Sequence, residues 1–372
     1  MTRDAYAAAR TISPKLHDYF ARHRADAVCR GQDHLAPLPD AETIEAVIDA
    51  AFWASLRREE GFIPKISLAF LSPRQALHPL ILERPLPLVP GALTRVSPAV
   101  ERPGVHLGVW REQEELCVWG TTRTIPVLCF VLEVAAPGLL VVKHHSGEES
   151  RKFINVAVLE GDQVKVVDER ASTRPDCPAL LTSLLGFDSP ASWVHSVNPM
   201  VQLAVSMRAH GRGGSLLVVP SGTDAWRESI VNPISYGVSP AFQELAHFSQ
   251  ESGDPAELVS TIAAVAGLTA VDGAVVLTDR YELLGFGAKI ARRKRWPQVE
   301  QVLLTEPVEG TEAQLVHPEQ LGGTRHLSAA QFIQDQRDAV ALVASQDGRF
   351  TVFEWSSCEE IVHAHRVDVL LL

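Results

Sequence analysis

Residues 198–221 read NPMVQLAVSMRAHGRGGSLLVVPS, and the fold reading starts there. Asn198 to Gly214 has the pattern of an amphipathic helix ending in glycines, and Ser215 to Ser221 is an apolar strand that follows it directly. The same alternation returns downstream. PAELVSTIAAVAGLTAV (255–271) reads as a helix, and DGAVVLTDRYELLGFGAKI (272–290) as two strands around Asp279-Arg280. A helix opened near Thr324 precedes the strand DAVALVAS (338–345), a turn at Asp347-Gly348 and the strand RFTVFEW (349–355). Helices alternating with apolar strands predict a layered α/β domain over 199–372, a mixed sheet flanked by helices.

Upstream the rhythm differs. DAETIEAVIDAAFWASLRREEG (40–61) reads as the first strong helix, capped by Asp40 and ended by Gly61. Its Ile44, Val47, Ile48, Ala51, Phe52 and Leu56 recur at helical spacing. From about Ile66 to Val167 the pattern is short strands and turns. HLGVWREQEELCVWGTTR (106–123) is a hairpin turning over Glu112 to Glu115, and KFINVAVLEGDQVKVVDE (152–169) one turning at Gly161-Asp162. Between them PVLCFVLEVA (126–135) and GLLVVKHH (138–145) are strand-like, separated by Ala136-Pro137-Gly138. The fold class is therefore α/β in the α+β sense, with a helix plus an antiparallel, β-rich domain over 1–170. A connector follows over 171–198, and DERASTRPDCPAL (168–180) breaks the strand pattern with charge and proline. No internal repeat or low-complexity tract stands out.

Composition narrows the function classes. A chain of 372 residues corresponds to two or three domains at about 150 residues each. With 46% hydrophobic and 21% charged residues it can bury a sizeable core. Its 34 Lys and Arg against 45 Asp and Glu give a net charge of −11. That argues against a chain built to coat nucleic acid or an anionic membrane, yet leaves room for a local basic pocket. Five scattered cysteines without a Cys-x-x-Cys pair indicate neither a disulfide framework nor a zinc ribbon. The N-terminus lacks a signal-peptide core, and no apolar run approaches the ~20 residues of a membrane helix. A cytoplasmic protein with neither nucleic-acid nor membrane partners is expected.

The stretch LGGTRHLSAAQF (321–332) has the composition of a binding-site mouth. Backbone N–H groups at a helix N-terminus favour an anion, and glycine lets a ligand approach the chain. Arg325 supplies a fork of donors and Thr324 a hydroxyl. The plainer alternative is an ordinary helix start, with Thr324 as N-cap and Arg325 in solvent. RGGSLLVVP (212–220) and VDGAVVLTD (271–279) also place glycine or a short polar residue at the border of a strand. Layered α/β domains bind ligands at such strand ends, where loops converge. The Asp272 carboxylate suits a divalent metal or a hydroxyl proton; alternatively it caps a turn that Gly273 merely bends.

The order of these motifs resembles the diadenylate cyclase superfamily. Its enzymes carry Asp-Gly-Ala followed by Gly-Thr-Arg-His-Arg-Ala-Ala, and this chain carries Asp272-Gly273-Ala274 and then Gly323-Thr324-Arg325-His326. GGSLLVVP (213–220) resembles the strand before the first motif, and DAVALVASQDGRFTVF (338–353) the closing strand pair. The similarity spans about Pro199 to Trp355. Two positions depart from the enzymes: Leu327 stands where they have a second arginine, and Ser345-Gln346-Asp347 where they have Ser-Glu-Glu. ELLGFGAKI (282–290), with the β-rich N-terminal region, is similar to divergent members regarded as sensor domains, the DACNV type.

The resemblance implies an adenine nucleotide or cyclic dinucleotide held by Asp272, Gly273, Ala274, Gly323, Thr324, Arg325, His326, Ser328 and Ser345. Thr324, Arg325 and His326 would handle phosphates, with the Asp-Gly-Ala loop beside base and sugar. Mg2+ or Mn2+ would accompany the nucleotide, with Asp272 as its protein ligand, in a homodimer or higher homo-oligomer. Three functions remain open. A sensor would bind the nucleotide without converting it. An active cyclase would join two ATP molecules into cyclic di-AMP across two facing protomers, with Asp272 catalytic. An interaction module would keep an empty pocket.

Other features are read as structural. In GFGAKIARRKRW (285–296) a lone Gly-x-Gly is a poor dinucleotide signal, and Lys289, Arg292, Arg293, Lys294 and Arg295 read as a solvated surface. His144-His145 and His363-x-His365 lack a ligand partner at recognisable spacing and read as strand or turn residues. Trp53, Trp110, Trp119 and Trp193 are expected to fill cores. No serine-hydrolase elbow or Walker loop occurs.

Overall fold

A computed structural model describes residues 5–145, 153–169, 198–250 and 255–372, side chains at 248–250 and 255 excepted. Cys177, Trp193 and the connector up to residue 197 lie outside them. The chain divides into two compact units, Met1–Val167 with Leu372, and Asp168–Leu371.

In the first unit, Asp40 caps its helix as the pattern asks, accepting the Thr43 N–H at 2.7 Å. That helix, α2 (Ala41–Ser55), stops short of Leu56 and Gly61 and packs against an unforeseen one, α1 (Ala7–Cys29). Pro14 lies inside α1, a residue that reads as a helix breaker, although Ile12, Leu16, Tyr19 and Phe20 are buried. The third helix is α3 (Pro90–Val96). The strands are β1 (Ile66–Phe70), β2 (Leu80–Pro87), β3 (His106–Glu112), β4 (Glu115–Thr122), β5 (Phe130–Ala136), β6 (Leu139–His145), β7 (Phe153–Glu160) and β8 (Gln163–Val166). They form one sheet in the order β2-β4-β3-β1-β5-β6-β7-β8. Gln113 and Glu114 both have positive φ, the geometry of a two-residue hairpin turn whose twist matches its strands.

Alternation divides this sheet into two apolar faces. Leu68, Phe70, Leu107, Val109, Phe130 and Leu132 share a core with Ile44, Val47 and Ile48 of α2. Ala69, Leu71, Trp119, Cys129 and Val131 form the opposite face. There Trp119 lies across Gly108, whose added Cβ would stand 2.0 Å from the indole. The indole N–H donates to the Leu71 carbonyl at 2.8 Å.

The second unit contains α4 (Pro199–Ala209), β9 (Gly214–Val219), β10 (Tyr236–Phe242), α5 (Glu244–Gln250), α6 (Pro255–Leu268), β11 (Ala274–Thr278) and β12 (Leu283–Ala288). It continues with β13 (Val302–Thr305), β14 (Gln314–Val316), α7 (Glu319–Gly322), α8 (Thr324–Asp335), β15 (Val340–Ala344), β16 (Phe350–Ser356) and β17 (Ile361–Arg366). Its sheet runs β10-β12-β11-β9-β15-β16-β17-β13-β14. Phe332 and Ile333 of α8 pack against Leu217, Val219, Ala341 and Val343 on one face of it.

Seven strands of each sheet share one arrangement. The runs β2-β4-β3-β1-β5-β6-β7 and β10-β12-β11-β9-β15-β16-β17 agree in spatial order and in chain succession. Each has a single parallel pair, β1 with β3 or β9 with β11, in an otherwise antiparallel run. The repeat that the sequence did not display is present in the topology. The copies differ between the fourth and fifth strands of the chain succession: residues 123–129 suffice in the first, whereas residues 289–339 carry β13, β14, α7 and α8 in the second.

Gly108→Ala is expected to destabilise the first unit by roughly 1–3 kcal/mol, because a methyl group there must displace the Trp119 ring. Urea unfolding with near-ultraviolet circular dichroism checks it; an unchanged midpoint and tryptophan signal would show that the ring does not depend on the glycine.

Candidate functional site

The site is assembled by strand direction. β9 and β11 are parallel with Ser215 opposite Ala274, and antiparallel β15 brings Ala344 beside Gly214. The starts of β9 and β11 and the end of β15 therefore share one end of the sheet, about 4.8 Å apart from strand to strand. α8 begins at the same place. A Cβ on Gly213 would stand 2.6 Å from Nη1 of Arg325, 3.2 Å from the Ala344 carbonyl oxygen and 3.3 Å from Cγ of Gln346. Gly213 has φ +71°, in the region that favours glycine. Two of the three segments singled out in sequence, those of Gly213 and Arg325, thus touch, and the third starts on the adjacent strand.

His210 and Thr269 tie the two strand-leading loops together. The Arg212 N–H donates to Nδ1 of His210 at 3.1 Å, and the Thr269 hydroxyl donates to the Ala266 carbonyl at 2.6 Å. Nε2 of His210 therefore carries the proton and donates to Thr269 Oγ1, at 3.1 Å. Burial and the Arg212 charge hold this imidazole below its usual range.

At the start of α8 the capping residue is Gly323, at φ 81° and ψ −153°, and no side chain caps the helix. Thr324 is the first helical residue, so the alternative that made it the N-cap does not hold. The first intrahelical bond runs from the Leu327 N–H to the Gly323 carbonyl at 3.2 Å, leaving the N–H groups of Thr324, Arg325 and His326 ahead of it. Thr324 and Gly323 are exposed, and Arg325, Ser328 and Ser345 half-buried.

His326, to which the resemblance gives a part in handling phosphates, is fully buried. Its Nε2 lies 3.4 Å from the Thr351 hydroxyl, and its ring meets Phe353 edge-on at 5.9 Å. Nδ1 lies under Gly322, where an added Cβ would be 2.5 Å away, without bonding geometry to a partner. Desolvation pushes this imidazole down to about pKa 4, so it is neutral near pH 7 and props the loop from behind.

Asp272 has the opposite character. Its side chain is 89% exposed, with Lys289 Nζ 3.5 Å from Oδ2. Gly273 follows at φ +104°, and its Cβ would fall 2.5 Å from the carbonyl carbon of Gly287. Ala274 is buried as the first residue of β11. Among the described residues no group of three or more His, Cys, Asp or Glu side chains could hold a metal ion. The two departures from the enzymes occupy unlike surroundings. Leu327 packs partly buried against the core, while exposed Gln346 donates to the Arg212 carbonyl at 3.4 Å.

The basic run is not uniformly solvated. Arg292, Lys294 and Arg295 are exposed or half-exposed, but Arg293 pairs with Glu228 at 2.6 Å and its N–H donates to the buried Asp335 at 2.6 Å. Gln331 accepts the Val299 N–H at 2.9 Å, so this segment clamps the second half of α8. His363 and His365 are strand residues of β17, bonded to Glu359 at 2.8 Å and Thr305 at 2.7 Å. The sequence singled out the segment of Gly213 through its paired glycines without making Gly213 a site residue, and Thr351 was missed.

Comparison with known proteins bears on the first unit. Residues 33–123 match the model of DACNV, a probable sensor domain. This supports a sensor-domain assignment there, whereas the sequence reading also tied the type to residues 282–290. No curated protein matches the chain. Among solved structures, a hypothetical membrane spanning protein from Bacillus cereus is similar over 50% of this chain and 67% of its own, at 16% identity and a TM-score of 0.27. No helix among the described residues is long and apolar enough to cross a membrane.

His326 sets an acid limit on the second unit. Its ordinary value of 6.5 falls to about 4 on folding, so the unfolded chain takes up the proton first as pH drops. Its contribution is complete above pH 6.5 and is lost between about 6.5 and 4. His106 does the same in the first unit. Denaturant midpoints are expected to fall across this window, and less steeply for the second unit in His326→Gln; equal slopes would show that the ring is solvated.

Proposed function

We propose that the second unit binds an adenine nucleotide or cyclic dinucleotide, and that the chain acts as a cytoplasmic nucleotide sensor. One observation carries the reading: the Arg325 guanidinium rests over Gly213, where two strand starts and a strand end meet an uncapped helix N-terminus. Such a terminus offers backbone donors and a favourable dipole, and a guanidinium beside it adds paired donors for a phosphate. Thr324 and Ser345 lie within the same loop cluster, and Asp272 stands on the neighbouring strand start for the sugar. Mg2+ or Mn2+ would ride on the phosphates, with Asp272 as the protein carboxylate.

Binding is favoured over synthesis because cyclisation needs charge at the reacting phosphates beyond what binding needs. Leu327 faces the core where the enzymes have a cation, and Gln346 is neutral where they have a carboxylate. Losing one preorganised charged group commonly costs on the order of 10²–10³ in rate. The alternative, a cyclase working as a homodimer, rests on the Asp272 and Arg325 motifs alone.

Calorimetry with ATP, ADP and cyclic di-AMP tests the reading. Binding of at least one is expected, weakened by about 1.5–3 kcal/mol in Arg325→Ala and left intact in Lys294→Ala. Lys294 is the better control, since Arg293 is built into the fold. Gly213→Ala should also weaken binding, by displacing Arg325. No heat with any nucleotide, or equal losses from Arg325→Ala and Lys294→Ala, refutes the cradle. With ATP and Mn2+, mass spectrometry should find little or no cyclic product; multiple turnovers per protomer would put the cyclase first.

A further inference from the structure

Arg292, Arg293, Lys294 and Arg295 place four cations in consecutive positions of a chain with a net charge of −11. A solvated face is the ordinary fate of such a run. The turn that carries this one is instead anchored on both sides. The Arg293 N–H donates to Asp335 at 2.6 Å, and the Trp296 N–H to the Arg293 carbonyl at 3.2 Å. Just beyond, the Gln331 side chain donates to the Pro297 carbonyl at 3.2 Å and accepts the Val299 N–H at 2.9 Å. Arg295 itself stands at φ +69°, a conformation that residues other than glycine enter uncommonly. Lys294 and Arg295 are therefore carried by a fixed loop.

A fifth cation joins them from another part of the chain. Arg337, just past the end of α8, lies over Trp355 at 3.8 Å and over Trp296 at 5.6 Å, and Arg293 lies over Trp296 at 5.0 Å. A guanidinium resting on an aromatic face is ordered there without using its N–H donors. Arg293 is neutralised by Glu228, and Arg292 lends its charge to the buried Asp335. Lys294, Arg295 and Arg337 are exposed, and among the described residues no carboxylate pairs with any of them. Cations that are held in place and left unpaired form a surface prepared for an anion.

Three observations narrow the anion. Both indoles are half-buried and already carry guanidinium groups, so neither offers an open face to a nucleobase. None of the large hydrophobic side chains exposed among the described residues belongs to this turn or to α8, so the patch has nothing to insert into a bilayer. The negative charge of the whole chain opposes an extended polyanion or a charged bilayer more than it opposes a short segment that meets only the patch. Carboxylates on a short peptide match the paired donors of arginine.

We propose that the 292–296 turn and Arg337 form a docking surface for a short acidic segment of a partner protein. The surface lies at the other end of α8 from Arg325, 12 helical residues or roughly 18 Å away, and does not rest on the nucleotide reading.

Fluorescence anisotropy of the full chain with a labelled oligoglutamate peptide tests the surface, with an oligothymidylate of equal charge and phosphatidylserine vesicles alongside. The peptide is expected to bind, and to bind less tightly as salt rises. Lys294→Glu and Arg337→Ala should each weaken it roughly threefold to tenfold. Arg337→Lys, which keeps the charge and loses the planar fork, should fall between Arg337→Ala and the natural chain. Lys65→Glu, the same change of charge at an exposed lysine of the first unit, should leave the affinity nearly as it is. Absence of peptide binding, equal losses from Lys294→Glu and Lys65→Glu, or full affinity in a folded Arg337→Ala would overturn the surface. Tighter binding of the oligothymidylate or the vesicles than of the peptide would give it to a nucleic acid or a membrane instead. ATP titrated into Lys294→Glu should bind as to the natural chain; joint loss of ATP and peptide would overturn the patch as a separate surface.

Discussion

Two strands that run parallel begin at the same end of a sheet, and the pairing of β9 with β11 places every part of the candidate site. With Ser215 opposite Ala274, the loops carrying Gly213 and Asp272 must emerge side by side. A parallel pair cannot be joined by a hairpin, so the chain leaves the end of β9 and returns to the start of β11 through a crossover. That crossover holds β10, α5 and α6. Antiparallel β15 completes the arrangement by ending where β9 starts, which brings Ser345 and Gln346 alongside. Reversing one strand would scatter these residues to opposite ends.

Close approach is the second requirement. Arg325 reaches the sheet end because Gly213 has no side chain to keep it away, and His326 tucks under Gly322 for the same reason. The arginine and the histidine of one short motif thus take opposite fates a single residue apart. Arg325 turns toward the strand ends, half-buried; His326 turns inward to Thr351 and Phe353 and loses its charge to desolvation. The neutral ring supports the loop without adding a cation beside Arg325.

Much of this architecture is legible in the sequence, for identifiable reasons. The helix-to-strand passage at 198–221, the Asp40 cap and the two-residue turns at Gln113-Glu114 and Gly161-Asp162 are local, written in periodicity and turn chemistry. Convergence of the Gly213 and Arg325 segments was foreseeable only as a rule about strand ends. The fate of His326 was not, because a motif gives a residue's neighbours along the chain and not the face it turns to. Arg293 misled similarly: its charge suggests solvent, but Glu228 and Asp335 reach it from residues 65 and 42 positions away. The duplicated topology was invisible because strand order and sense are properties of pairing, which unrelated side chains can satisfy equally well.

The duplication also shows what the fold alone does not supply. In the second sheet the row Ala288, Ala274, Ser215 and Val343 crosses four neighbouring strands. In the first sheet the matching row is Thr122, His106, Ser67 and Glu133, occupying the same places in the same succession of strands. Here His106 Nδ1 meets the Ser67 hydroxyl at 2.7 Å, and Lys143 pairs with Glu133. A row of small and apolar side chains can sit against a helix such as α8; hydrogen-bonded and ionised groups must keep polar partners, and burying them under an apolar helix face would cost too much. Unit one has only residues 123–129 where unit two inserts 289–339, so it has no counterpart of α8 or of its uncapped N-terminus. The nucleotide reading therefore needs the insertion, which carries Thr324 and Arg325, as well as the strand ends of the shared sheet, which carry Gly213 and Asp272, while the sensor-domain match covers three of the first row's residues, Ser67, His106 and Thr122. Two copies of one arrangement have been fitted with different surfaces by what each places over the same four strands.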